Sequence, residues 1–306
     1  MFSVCSRLAF ALLLGLLVPA STNAEEKNQT HPLQDQIVDK QGQTLTRELV
    51  AEKIRRHAYV FVGEKHDNPR HHQLELDILR IRFSGVEQGK GSAVFEMLDD
   101  AQDTFIAQLK REQSLDEMKQ VMQWPNKGWD WNSYGPLFRE SVQFDALKSG
   151  NISRSMISTI YKDGQKILTS TPKLFSATKQ STETQNYLLD QIFGSHCGMQ
   201  SRDTLQPMLH IQLAKDASMA SAMASDARAI LIAGGEHVRP NTGAPTHLKT
   251  LLPNADILVI QLVEVKADKL KLNDYLPAVG AADLYWFTEA TPEQDYCSGV
   301  KGRAAQ

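Results

Sequence analysis

Short apolar runs alternate along this chain with stretches of helical period. Residues 58–62, 92–97, 142–147, 228–233, 255–263 and 284–287 read as strands, with a shorter one at 36–39. Runs of this length with little polar alternation suit strands covered on both faces. Between them the apolar spacing lengthens. Thr46, followed by Glu48, Leu49 and Val50, opens a short helix that ends near His57. Asn68 stands where an N-cap belongs and Pro69 at the first helical position, and Leu76, Leu79 and Phe83 continue as an apolar stripe. Asp99 and Asp100 open another helix running to about Arg111, and residues 115–122 form a further short one. Strands alternating with helices predict an α/β fold, a mostly parallel sheet with helices on both faces.

From Ser153 to Ala224 only the helical period remains, broken near Pro172 and at 194–198. This predicts an α/β domain formed by residues 25–152 and 226–306, with a smaller helical subdomain, 153–225, inserted into it. Residues 1–24 read as a signal peptide: Arg7 supplies the positive start, Leu8 to Val18 the apolar core, and Thr22-Asn23-Ala24 a small-residue cleavage site. That core is short for a bilayer span. The expectation is a periplasmic protein, soluble after cleavage near Ala24. Cys5 precedes the apolar core, the wrong place for a lipid-bearing cysteine after cleavage.

The 306 residues, 42% hydrophobic and 23% charged, have room for one large domain or two smaller ones. The formal charge of −3 becomes one unit more negative once Arg7 is removed, which argues against a nucleic-acid partner. Export leaves Cys197 and Cys297, either paired in an oxidising compartment or free as two thiols. Cys-x-x-Cys-His is absent, so covalent haem attachment of the common kind is excluded.

The chemistry concentrates first at strand ends. Residues 59–62 lead into Gly63-Glu64-Lys65-His66-Asp67, and residues 229–233 into Gly234-Gly235-Glu236-His237. A buried strand that ends in glycine, carboxylate and imidazole delivers ionisable groups to the carboxyl edge of a sheet, where open α/β folds bind ligands. Glu64, His66, Glu96 at the end of the second strong strand, and His237 are the candidates for acid–base or metal chemistry. Glu96 would join the first turn if its strand were a direct neighbour; it would otherwise cap the next helix. His71, one helical turn before Glu75, is expected to face solvent, and His72 to point inward. The tryptophan-rich stretch from Trp124 to Trp131, with Tyr134, would either line a pocket or fold as a loop onto the domain.

The helical region carries a second set: Tyr161, Tyr187, His196, Cys197, Met199, Met208, His210, Met219 and Met223. Accessible Tyr and His with Met-rich apolar walls suit a porphyrin, because a phenolate is a hard donor for ferric iron. His196 lies in Gly194-Ser195-His196-Cys197-Gly198, an accessible break between helices, whereas His210 reads as a core residue. The sequence does not choose between Tyr161 and Tyr187.

Several short motifs occur together in order. They are Gly63-Glu64-Lys65-His66-Asp67 with His71-His72, Phe95-Glu96-Met97, the segment from Trp131 to Tyr134, Gly150-Asn151-Ile152-Ser153-Arg154, Ser195-His196-Cys197-Gly198-Met199, Lys215-Asp216-Ala217-Ser218-Met219-Ala220, and Gly234-Gly235-Glu236-His237 with Gly243-x-Pro245. Over residues 50 to 265 this set resembles the ChaN-like haem-binding uptake proteins. The resemblance implies non-covalent haem binding in bacterial iron acquisition, without turnover. It also implies dimers enclosing stacked haems, with iron held by a tyrosine of one subunit and a histidine of the other nearby. Tyr161 and Tyr187 are the candidate ligands, His196 the candidate partner, and Met199 a candidate contact. The partners implied are haem, a second copy of the chain, and an outer-membrane haem receptor or a periplasmic haem carrier. Familiar members are lipoproteins, and this chain lacks a cysteine at the cleavage point. A more distant similarity to erythromycin esterases and TIKI metalloproteases implies the rival reading, a metal-dependent or acid–base hydrolase using Glu64, His66, Glu96 and His237.

Overall fold

The computed structural model describes residues 30–125, 128–277, 280–293 and Cys297. The predicted signal peptide, 1–24, lies outside them. Residues from His31 onward cluster as one unit. Its elements are β1 (Ile37–Asp39), α1 (Arg47–Arg56), β2 (Tyr59–Glu64), α2 (Pro69–Phe83), β3 (Ser92–Asp99), α3 (Asp103–Ile106), α4 (Leu115–Val121), α5 (Trp131–Gln143), β4 (Leu147–Asn151), α6 (Arg154–Ser170), α7 (Thr182–Ser195), α8 (Gln206–Ala224), β5 (Ala229–Gly234), α9 (Ala244–Leu251), β6 (Ile257–Glu264) and β7 (Leu284–Thr288). The strands form one sheet in the order β1-β7-β6-β2-β5-β3-β4, parallel except where β1 meets β7. This is the α/β fold that the apolar pattern predicts.

Each central strand is buried on both faces, which is why its sequence lacks polar alternation. Val60 and Val62 of β2 and Ile230 and Ile232 of β5 enter a core with Leu74 and Ile78 of α2 and Leu137 and Phe138 of α5. Tyr59, Phe61, Leu231 and Ala233 face the other way, onto Met219 and Met223 of α8 and Leu248 of α9. A third core joins α6, α7 and the first half of α8. Helix α8 thus belongs to two layers. Its Ala214 and Ala217 pack among helices, and its Ala220 packs against the sheet.

The chain runs from β2 through β3 to β4 in one direction, then returns to place β5 between β2 and β3. From β5 it continues to β6 and β7 on the opposite side of β2. Strand order therefore reverses around β2 and β5, and the carboxyl ends of β2, β5 and β3 line the resulting crevice.

Two sequence expectations are corrected. The strand expected at 142–147 lies later, at Leu147–Asn151; residues 142–146 are the end of α5 and a turn in which Asp145 has a φ of 53°. The tryptophan-rich stretch is likewise not simply a loop, because Trp131 opens that helix. Asp130 caps it by accepting the N–H groups of Asn132 and Ser133. Burial of Trp131, Tyr134, Leu137, Phe138 and Val142 along one face outweighs the break signalled by Gly135-Pro136. The helix expected from Asp99 to Arg111 shrinks to a single turn of 3-10 helix and the short α3, because β3 extends to Asp99. Cys197 and Cys297 form a disulfide with Cα atoms 5.6 Å apart, tying residue 297 to the turn after α7.

At the opposite edge of the sheet from the crevice, the fully buried Arg82 of α2 gathers four carbonyls. Its guanidinium donates to Ile54 O (2.7 Å), His57 O (2.6 Å), Ala58 O and Ala229 O (3.2 Å). It thus ties the end of α1 to the first residues of β2 and β5. Arg82→Met removes four charge-assisted hydrogen bonds, with Ala58 O still accepting the Ala229 N–H at 3.0 Å, and the expected loss in urea unfolding is about 3–5 kcal/mol. A loss below about 1 kcal/mol, the worth of a single hydrogen bond, would contradict this role.

Candidate functional site

Strands β2 and β5 pair in register, with Glu64 opposite Gly234. Each then enters a Gly-x-x-His turn, and the two turns bring His66 and His237 to the same end of the sheet. Although β5 separates β3 from β2, Glu96 of β3 reaches both turns. Its Oε2 accepts the N–H of Gly234 at 2.8 Å and lies 3.6 Å from Nε2 of His66. Its Oε1 lies 3.3 Å from Nε2 of His237. One carboxylate therefore joins both imidazoles. Gly234 permits this approach, since a Cβ there would stand 2.7 Å from Nε2 of His66.

A second ring of partners orients the histidines. Nδ1 of His237 meets Oδ1 of the buried Asp216, from α8, at 2.5 Å. Nδ1 of His66 meets Oε1 of Glu64 at 2.9 Å, and the Tyr134 hydroxyl donates to the same oxygen at 2.9 Å. Trp129 leans on the His66 ring, with centroids 4.6 Å apart. Glu64, Glu96 and His237 are buried, whereas the His66 side chain keeps 35% exposure. Above them lies a cleft of about 450 Å³, walled on its far side by Leu188, Gln191, Ile192 and Ser195 of α7.

The charges follow from this packing. Burial opposes ionisation of Glu96, but His237, then His66 and the Gly234 N–H, outweigh it and hold the carboxyl well below its ordinary range. Burial also opposes a charge on His237; Glu96 and Asp216 outweigh it and raise its pKa to about 10. His66 is raised too, against burial, by Glu64 and Glu96. Glu75 behaves differently. Burial, and then the charge of Glu64, push it well above the carboxylate range.

The sequence-predicted catalytic candidates Glu64, His66, Glu96 and His237 thus meet at one place. Tyr134, expected with the tryptophans to line a pocket or to lie in a loop, comes instead from a helix and reaches Glu64. Sequence reasoning missed Asp216 as a site residue; its signal was an acid within a helix of small apolar residues. His71 was misjudged. It is fully buried, with Nδ1 accepting the Lys65 N–H and Nε2 beside the Thr288 hydroxyl, each at 2.9 Å. Burial lowers its pKa to about 4. Glu75 is equally buried, so neither residue faces solvent. Thr288 of β7, remote in sequence, meets the His71 ring, and α5 packs on α2.

The porphyrin candidates divide. Tyr161 on α6 is 56% exposed, and its hydroxyl has no partner among the described residues. It lies one turn before a kink at Gly164 (φ 40°), where the His210 ring presses on the helix. Tyr187 on α7 is tied down: its hydroxyl donates to Oε2 of Glu236 at 2.8 Å and Arg239 lies over its ring. Burial and then Glu236 raise its pKa, disfavouring the phenolate. His196 holds Ile192 O with Nδ1 at 2.8 Å, leaving Nε2 outward. Met199 is 45% exposed. Met219 and Met223 are sealed in the sheet core and cannot wall a porphyrin, a correction to the sequence reading.

Residues 50–248 match the family model described as haem-binding uptake, Tiki superfamily, ChaN. The chain belongs to the ChaN family. ChaN of Campylobacter jejuni, for which cofacial haem binding is described, matches this ChaN-family chain with a TM-score of 0.67 at 20% identity, over 82% of this chain and 95% of its own. The type III effector HopBA1 matches with a TM-score of 0.42 at 10% identity, over 79% of this chain and 92% of its own. A Bacillus cereus protein matches with a TM-score of 0.36 at 10% identity, over 79% and 90%. No curated protein matches the chain. At 20% identity the likeness to the Campylobacter protein is one of fold.

The charge network of this ChaN-family site has a pH signature. His237, with its pKa raised from 6.5 to about 10, adds stability that is complete below pH 6.5 and is lost as pH rises through about 10. Glu96, with its pKa lowered, adds stability that is complete above its ordinary value of 4.5 and is lost on acidification. His237→Gln is expected to cost about 3–5 kcal/mol near pH 6, because it leaves buried carboxylates without their cation. The gap to the wild type should narrow steadily towards about pH 10. Urea unfolding across pH checks this, and a gap independent of pH would contradict it.

Proposed function

We propose that this chain binds haem non-covalently for bacterial iron uptake, with Tyr161 as the iron ligand and His196 of a second copy beside the porphyrin. The single observation that carries the choice of ligand is the contrast between the two tyrosines. The Tyr161 phenol is exposed and unpartnered among the described residues, while the Tyr187 phenol is engaged by Glu236 and Arg239. The donor set suits the group. A phenolate oxygen is a strong donor to ferric iron, and His196, its Nδ1 held by a backbone carbonyl, keeps Nε2 for an outside partner. Both described cysteines are in a disulfide, so neither offers a thiolate or a thioether link. Bound haem would supply ferric iron as cargo.

Membership of a haem-binding uptake family supports the cargo. An exposed Tyr161 and Met199 give a flat ligand little enclosure within one chain, which supports cover by a second copy. The signal-peptide pattern and the disulfide support export to the periplasm, with delivery to or from a haem receptor or carrier. Haemin titrated into the purified mature protein should give a saturable high-spin ferric spectrum. Tyr161→Phe should abolish that spectrum, Tyr187→Phe should preserve it, and His196→Ala should weaken binding about 10-fold or more. An unchanged spectrum in Tyr161→Phe would reject the assignment.

The bridging of His66 and His237 by Glu96 favours a second activity in the cleft, acid–base hydrolysis. Glu64 holds Nδ1 of His66, and Nε2, beside Glu96, carries a proton that it can give to a leaving group, while the positive His237 stabilises developing negative charge. Turnover of a chromogenic ester, lost in His66→Ala while haemin affinity is unchanged, is the expected result. Equal rates for the wild type and His66→Ala would remove this activity from the account.

A further inference from the structure

Beneath the floor of the cleft, on the side away from solvent, three more side chains converge. Glu64 comes from the end of β2, and His72 and Glu75 come from successive positions on one face of α2. A spacing of three residues places two helical side chains side by side, an arrangement that presents an imidazole and a carboxylate to one cation. One ligand-capable atom from each of the three residues lies within 4.8 Å of the other two. Nε2 of His72 is 3.1 Å from Oε2 of Glu64. All three residues are buried, Glu75 completely.

Four of their polar atoms lack a hydrogen-bond partner among the described residues: Oε2 of Glu64, Nε2 of His72 and both oxygens of Glu75. Two carboxylates facing each other in the interior need something positive between them. A proton shared by Glu64 and Glu75, with Nε2 of His72 turned to Oε2 of Glu64 at 3.1 Å, would still leave the second Glu75 oxygen unserved in the interior. A cation engages all three residues at once. Two carboxylates and a neutral imidazole carry two negative charges, which match a divalent ion, and this mixed oxygen and nitrogen donor set suits zinc or manganese.

We infer that Glu64, His72 and Glu75 form a divalent-cation site of the zinc or manganese class beneath the cleft. This goes beyond the haem reading and does not depend on it, since the site is too enclosed for a macrocycle and lies on different elements from Tyr161. It also gives Glu64 two roles. Oε2 faces the cation, while Oε1 accepts from Tyr134 and His66 at the floor of the cleft. Loading of the site therefore acts on His66 through one shared carboxylate.

The test uses the mature protein, dialysed against a chelator and then given Zn²⁺ or Mn²⁺ alone, without haem. Bound metal is measured by mass spectrometry and stability by thermal unfolding. The wild type should retain a stoichiometric amount of metal and melt at a higher temperature with it than without it. Glu75→Gln and His72→Ala should bind about 10-fold more weakly or worse, and both should keep the wild-type haemin titration. Equal metal content in the wild type and Glu75→Gln would overturn the inference. So would a wild type that takes up no metal, while Glu75→Gln melts higher than it does; that outcome identifies a shared proton, replaced by the amide. If the variants do not fold, cobalt(II) added to the wild type decides: visible d–d absorption from a nitrogen and oxygen site supports the inference, and its absence rejects it.

Discussion

Much of this protein's organisation depends on one carboxylate placed between two imidazoles. Glu96 is buried, and it stays ionised because His237 and His66 approach it from two different turns while a backbone N–H from a third direction completes its shell. A buried carboxylate without such partners would be neutral or would destabilise the fold. The requirement reaches outward. His237 needs Asp216 behind it, so α8 must lie against the sheet, and small residues at Ala217 and Ala220 let it do so. His66 needs Glu64 and Tyr134, so α5 must pack over the opposite face. The two helical layers are thus fastened to one point at the carboxyl edge of the sheet.

The haem surface proposed above would use the same scaffold differently. Helix α7 forms the far wall of the cleft and ends at His196, while Tyr187 in its middle is spent on holding Glu236 of the second turn. With its hydroxyl on Glu236, Tyr187 is engaged within the chain. The disulfide from Cys197 to Cys297 pins the glycine-flanked turn between His196 and Met199.

What could be read in advance was local. Most of the strands, the Asn68-Pro69 helix start and the two Gly-x-x-His turns are each encoded within a few consecutive residues, and the structure places them where the pattern puts them, the strand expected at 142–147 being the exception. Glu96 was legible as a strand-end acid. Its reach across an intervening strand was not, because strand order depends on where the chain returns after the helical excursion. Asp216, Tyr134 and the burial of His71 and Glu75 depend on contacts between distant segments. Glu75 did leave a trace. It shares a helix face with the apolar Ile78, and an acid on an apolar face signals an interior group rather than a solvated edge.

The central claim is that Glu96 is a carboxylate held between imidazoles, with His237 carrying its positive charge in the interior. Nitrogen-15 NMR of the histidine rings in the ligand-free protein tests it most directly. The account expects both nitrogens of His237 to bear protons at neutral pH, each hydrogen-bonded, with deprotonation only near pH 10. A neutral single tautomer of His237 at neutral pH would contradict it.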